Sequence, residues 1–551
     1  IPVFNLFLVT AFSVSTVSAQ EDMPHFTRQD TLRGSLNAER AYNVIKYDLS
    51  VEPDYANRYL KGRNTITYID SGLRFMQIDL QPPLAIDSIV QDRKQLSFRR
   101  EGNVYHVGMV RENLAGEKRQ PVLRRITIYY QGHPHQAVKA PWDGGWIFKS
   151  DSLGRPWMSV ACEGDGASIW FPCKDYLGDE PDSGALLSIT VADSLTAIGN
   201  GRLKEKNAND NGTTTWTWEV KSPINSYDII PYIGKYAGWQ STYAGEKGRL
   251  DLSFWALDYH LPAARRQFAA VDSMLRCFEY WFGPYPFYED GYKLVEAPYL
   301  GMEHQSNIAY GNHFLQGYSG RDLSGTGWGM KWDFIIVHES GHEWFGNNIT
   351  CRDVADEWIH ESFTAYSETL YTEYYFGKQA GNEYNIGIRK NIQNKTPIIQ
   401  YYGVNHSPGG TDEYYKGSNM IQTIRQAIND DDLFRKILRG LNQTFYHKTV
   451  GAADIEQYIN RVSGINFTPV FNQYLRDTRI PALEYVRTEG SLRYRWANCN
   501  PAFNLPIRVT LGNTIWLHPT TKWQTIRVAG NGAPQADPNC YIELKEVAGA
   551  K

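Results

Sequence analysis

The chain has 551 residues, enough at roughly 150 residues per domain for three to four domains and more than one buried core. Its 56 basic and 60 acidic side chains leave a net charge of -4, which argues against a general nucleic-acid binder or a polybasic membrane binder. Hydrophobic residues at 42% and charged residues at 21% exclude a disordered chain, and the 14% aromatic content favours β-structure and aromatic-lined sites.

The N-terminus, IPVFNLFLVTAFSVSTVSAQ, is mostly apolar over residues 3–17, and Val17-Ser18-Ala19 offers the small residues of a signal-peptidase site. Residues 1–19 read as an export signal, with an apolar first strand or an anchor as competing readings. The expectation is a periplasmic or secreted protein with no stable membrane span after cleavage, since no later apolar run is long enough to cross a bilayer. Residues 20–245 read as a β domain, with alternating runs at 47–51, 64–69, 126–130 and 187–191. The character changes near 262. Residues 263–282 carry helical spacing (Phe268, Val271, Met274, Leu275, Phe278), and helical signals dominate to 478. Residues 246–478 are thus expected to form a mostly α domain. Strand patterns return at 483–486, 492–496, 507–511 and 525–528, so residues 479–551 read as a small β domain. None of the six cysteines stands in a CxxC pair, which excludes a zinc ribbon. Cys499 and Cys540 read equally as a disulfide or as two buried thiols.

The sharpest pattern is His338-Glu339-Ser340-Gly341-His342, in a run that reads as a helix ending near Gly346. Residues four apart stand one above the other on a helix, so His338 and His342 can bind one zinc ion together. Glu339 then reaches the attacking water as a general base. A third ligand is supplied by Glu361, with eighteen residues between it and His342, on a second helical run; two His and one Glu leave the open position of a catalytic zinc site. Glu368 lies two turns beyond Glu361 on the same face. It reads equally as a support for a ligand or as a surface carboxylate. His133 and His135 read as a loop, not a metal site.

HEWFGNNIT after the histidines, followed by WIHESFTAYSE, resembles the aminopeptidase N and leukotriene-hydrolase family of gluzincin zinc metallopeptidases (peptidase family M-one). Three further segments match in family order. Leu300-Gly301-Met302-Glu303-His304 resembles the GxMEN exopeptidase loop. Tyr414-Tyr415-Lys416-Gly417 matches YxKG. FPCKD at 171–175, preceded by Ala161-Cys162-Glu163, is similar to the segment that lends a Gln or Glu to the amine site. The sequence departs from the family at Leu300, His304 and Ser362, where the family has Gly, Asn and Gly.

The resemblance implies a multidomain α+β fold: an N-terminal β-sandwich or saddle, a thermolysin-like catalytic domain and a small C-terminal β-sandwich. The family's long helical C-terminal domain is expected to be absent, since only about 73 residues follow 478. It further implies a zinc aminopeptidase with one Zn²⁺ per chain, acting on peptides with a free N-terminus. Glu303 and Glu163 would anchor the substrate ammonium, with Asp165 the rival of Glu163. Gly301, Met302 and His304 would line the substrate, and Tyr414 would stabilise the oxyanion, with Tyr415 the neighbouring alternative. An epoxide hydrolase, an endopeptidase and a non-catalytic peptide-binding protein on the same scaffold are the other readings.

Overall fold

In the strand Thr213–Val220, every second side chain is buried, so Trp216, Trp218 and Val220 face one core. The outward residues pair across the sheet: Ser188 with Thr217 and Thr190 with Thr215, each at 2.9 Å. Repeated along the chain, this period-two pattern gives an eight-stranded mixed sheet. At its centre Asn43–Asp54 pairs antiparallel with Tyr59–Asp70 and parallel with Ala185–Ala192. The computed structural model describes residues 26–34, 36–70, 72–109, 121–405, 410–529 and 532–548; the export-signal reading at 1–19 lies outside them.

A second sheet starts at Tyr236. Its order is Tyr236–Gly245, Gly248–Leu257, Tyr292–Glu296, Ile308–Tyr310 and Gly301–Met302. The boundary expected at 245 falls in the turn between the first two of these strands, where Gly245 pairs with Gly248. Val295, Tyr299, Met302 and Ala309 of this region join the core of the N-terminal β layers. Leu252, Leu294, Ile308 and Tyr310 join the core of the helices. The sheet thus separates two cores, and its short edge strand Gly301–Met302 faces the cleft between them.

The helical run expected over 263–282 is two helices, Leu261–Gln267 and Ala270–Phe282, interrupted where Phe268 packs among Trp239, Phe254, Tyr310 and Phe314. Three later helices build the site: α1 (Phe334–Gly341), α2 (Trp358–Phe376) and α3 (Asp412–Ile428). The C-terminal strands form a four-stranded and a three-stranded sheet, whose Leu483, Trp496 and Ile507 continue the helical core. All six cysteines are free thiols, so Cys499 and Cys540 are not paired. Among the described residues no helix is long and apolar enough to cross a membrane.

Candidate active site

α1 begins later than the apolar run suggests because Asp333 caps it, accepting from the amides of Ile335 and Ile336 at 3.0 and 3.3 Å. It ends early because Phe345 and Gly346 leave helical geometry, Gly346 with φ of 135°. That break has a consequence for the site: it turns the Phe345 carbonyl onto His342 Nδ1 at 3.1 Å. On the other histidine, Nδ1 lies 2.7 Å from Glu368 Oε1. Both rings therefore have Nδ1 engaged and Nε2 free, the arrangement in which a neighbouring acceptor sets the tautomer of a metal ligand.

The two Nε2 atoms lie 3.6 and 3.5 Å from Glu361 Oε2, for His338 and His342 respectively. Glu361 is 4% exposed, and this oxygen is buried with no hydrogen-bond partner. A buried carboxylate oxygen left without a donor is costly unless a cation meets it. The ligand atoms of His338, His342 and Glu361 all lie within 4.8 Å of one another. This donor set fits zinc, with three protein ligands and room for a fourth.

Glu339 occupies the same end of the cleft, close to Gly301, where an added Cβ would meet Glu339 Oε1 at 2.5 Å. Glycine at 301 lets the edge strand approach the base this closely. Burial and the surrounding Glu303, Glu361 and Glu368 carboxyls raise the pKa of Glu339 to about 8, opposed by His338. Burial disfavours charge on both histidines as well. It wins at His342, whose pKa falls to about 4, but at His338 the Glu361 and Glu368 carboxyls outweigh it and the pKa rises.

Ligating atoms of Glu303, Glu339 and His342 form a second group within 4.8 Å, so the expected amine anchor adjoins the base. Glu163 reaches Glu303 from the loop after strand Pro156–Ala161, and the two carboxyls share a hydrogen bond. Burial and the Glu303 charge push Glu163 well above the ordinary carboxylate range. Asp165 is turned away and accepts from the Gly144 amide at 2.7 Å. Tyr227, which no sequence motif marks, donates to Glu303 at 3.1 Å and is buried beneath it.

Tyr414 lies in the first turn of α3, its ring stacked on His338 at 6.0 Å. Burial and the nearby Glu361 and Glu413 charges raise its pKa well above 10, so the phenol keeps its proton and can donate. α3 is brought close to α2 at Gly417, where a Cβ would meet Ser362 Oγ at 1.8 Å. Ser362 donates that hydroxyl to the Glu413 carbonyl at 2.6 Å, so the serine replacing the family's glycine ties the two helices together.

The cleft is about 500 Å³ and is lined by Gly301, Met302, Glu303, Tyr414 and Tyr415, with Trp142 at its margin. His304 is a correction. It is 0% exposed, its Nδ1 lies 2.6 Å from the Tyr232 hydroxyl, and it is not among the lining residues. In extended chain successive side chains point to opposite sides, so turning Glu303 into the cleft turns His304 into the core. Glu357 and Glu413 also line the cleft; no motif had pointed to either.

Residues 268–474 match the model of the peptidase family M1 domain. Mouse aminopeptidase B is 24% identical over 396 residues, 65% of this chain and 56% of that protein. Leukotriene A-4 hydrolase of Xenopus laevis is 21% identical over 333 residues, covering 57% and 51%. The chain thus spans about half the length of these relatives. An M1 zinc metallopeptidase mutant from Deinococcus radiodurans, solved with a Tyr-Ser-Ala substrate, superposes with a TM-score of 0.65 at 19% identity over 80% of this chain and 96% of that one. Legionella pneumophila aminopeptidase A, solved with aspartic acid, gives 0.75 at 15% identity over 92% and 60%. HExxH, Glu303, Glu361 and Tyr414 all fall within the stretch that matches the peptidase family M1 domain.

Proposed function

We propose that this protein is a zinc-dependent aminopeptidase that removes N-terminal residues from peptides. The observation that carries the reading is the placement of Glu303 beside Glu339, their carboxyl oxygens within 4.8 Å, with Tyr227 and Glu163 hydrogen-bonded to Glu303. A cationic terminus held there puts the first peptide bond at Glu339.

His338, His342 and Glu361 would hold one zinc ion, with Glu368 and the Phe345 carbonyl fixing the two imidazoles. Bound there, zinc supplies Lewis acidity, polarising the scissile carbonyl and acidifying a water. Glu339 takes the proton of the attacking water and delivers it to the leaving amine. Tyr414 donates its phenolic hydrogen to the oxyanion. The edge strand Gly301–Met302 offers unpaired backbone groups on which a substrate chain can add as a further strand. Glu303 and Glu163 compensate the desolvated ammonium; losing one partner of such a pair costs on the order of 2–5 kcal/mol. We also place the mature protein outside the cytoplasm, in the periplasm or secreted, on the strength of the apolar stretch and VSA site at its N-terminus.

The test is hydrolysis of leucine p-nitroanilide and its N-acetyl derivative, with and without a chelator. Cleavage of the free amine alone, abolished by chelation and restored by zinc, is expected. Equal cleavage of the blocked compound would mark an endopeptidase, and no cleavage of either by zinc-loaded protein would favour a binding protein.

A further inference from the structure

Glu163 is carried by a loop, and its carboxyl sits against that of Glu303. The position of Glu163 also depends on what holds its loop. The tie comes from the N-terminal segment. Arg33 Nη2 donates to the Gly164 carbonyl at 2.9 Å, one residue past Glu163, and to the carbonyl of Asn405. Its Nη1 lies 3.6 Å from Asp175, and the side chain is 11% exposed. Asn405 returns the contact: its Oδ1 accepts the amides of Arg33 and Gly34 at 3.0 and 2.9 Å, and its own amide donates to Asp30 at 2.6 Å. The chain runs on from Asn405 into the segment bearing Glu413 and Tyr414.

The segment is itself anchored. Arg40, fully buried, donates to the carbonyls of Leu32 and Arg33 and lies 3.2 Å from Asp79. Arg33, Glu163, Asp175, Glu357 and Asn405 all border one small cavity of about 40 Å³ behind the amine seat. The other cation there, Arg352, is paired with Asp454.

We propose that Arg33 is a positioning residue for the ammonium seat: its planar guanidinium bridges two carbonyls from separate loops and so holds Glu163 against Glu303 while no cation is bound. This rests on the aminopeptidase reading above, and it assigns a working part to a residue outside the M1 domain. Arginine suits the role because one planar fork can serve several acceptors at once, which an ammonium point charge on a flexible stem does less well.

The test compares Arg33→Ala and Arg33→Lys with wild type in zinc-loaded protein. Three readings are taken: kcat and KM for leucine p-nitroanilide, the affinity for free leucine, and the affinity for acetohydroxamate, which seeks the metal and has no ammonium group. Both affinities are measured by calorimetry, so they stand apart from turnover. For Arg33→Ala, KM and the leucine dissociation constant should rise at least tenfold. The hydroxamate constant should stay within twofold and kcat within about threefold. Arg33→Lys should remain at least threefold weaker for leucine. Wild-type leucine affinity in Arg33→Ala would overturn the proposal, as would equal losses for leucine and hydroxamate, which mark general damage. If Arg33→Ala does not fold, the leucine-to-hydroxamate ratio of Arg33→Lys decides, an unchanged ratio counting against the bridge. A wild-type protein that binds zinc and leucine but hydrolyses nothing would instead sink the aminopeptidase reading and leave the ratio test standing.

Discussion

Glu368 is the residue whose loss separates a supported metal site from a bare ligand set. It is 2% exposed and both of its oxygens are used: Oε1 lies 2.7 Å from His338 Nδ1, and Oε2 accepts from the Tyr384 hydroxyl at 2.6 Å. Glu368→Ala would leave the His338 and Tyr384 donors buried and unpaired. Each such group costs about 1–3 kcal/mol, so a stability loss of roughly 2–6 kcal/mol would cloud any reading of metal affinity. Glu368→Gln is the cleaner perturbation. The amide oxygen still accepts from His338 Nδ1, and its NH₂ can donate to the Tyr384 oxygen in place of the bond Tyr384 now donates, so the shape is kept while the charge is lost. Removing such a partner typically weakens metal binding by about 10–100-fold, which is about 1.4–2.7 kcal/mol. The assay is competition against a chromophoric chelator, with urea unfolding as the control for fold. A Glu368→Gln protein that unfolds like wild type and binds zinc at least tenfold more weakly is expected. Zinc affinity within twofold of wild type would show that the carboxylate charge does not support His338, and the reasoning would fail.

Glu339→Gln should keep its zinc, measured by metal analysis, and lose about 10²–10⁴ in kcat on leucine p-nitroanilide, because an amide cannot take the water's proton. His304 makes the fold acid-sensitive. Burial lowers its pKa to about 3, whereas the unfolded imidazole titrates near 6.5, so its contribution is whole above about pH 6.5 and is lost as pH falls toward 3. At pH 5.5 that loss is about 1.4 kcal/mol, and His304→Asn should flatten the fall in urea-unfolding free energy between pH 8 and 5.5 by about that amount.

The metal ligands were legible because helix geometry is local. Once residues 334–341 and 358–376 are helical, His338 and His342 share a face, and so do Glu361 and Glu368. The helix ends were harder to read. An apolar run does not reveal that Asp333 will cap one end, or that Gly346 will take a φ of 135° at the other. Sheet membership was harder still: Tyr232–Gly234 and Tyr236–Gly245 follow each other in the chain but join different sheets, which local pattern does not report. Glu163 was visible only through the family resemblance. Tyr227 and Arg33 were not visible at all, since each reaches the site through contacts 76 and 131 residues away in the chain.

The cleft is lined by seven glutamates, and by no lysine or arginine among its described lining residues. Like charges this close cannot all be ionised in a partly dry site, and the pKa of Glu357, pushed to about 8 by burial and by Glu361 and Glu303, shows the strain. A stable fold would ordinarily remove such a cluster. Here the acids are held on frames that cannot drift apart: Glu339 on α1, Glu361 and Glu368 on α2, Glu413 on α3, Glu303 on the edge of a buried sheet, and Glu163 on a loop that Arg33 ties down. The proposed chemistry brings two cations, a metal dication against Glu361 and an ammonium against Glu303 and Glu163. Each meets carboxylates already in place, so little reorganisation is left to occur on binding. The repulsion among these carboxylates is thus relieved by the metal and by the free amino terminus, which is a physical reason for this site to favour a substrate's first residue over an internal one.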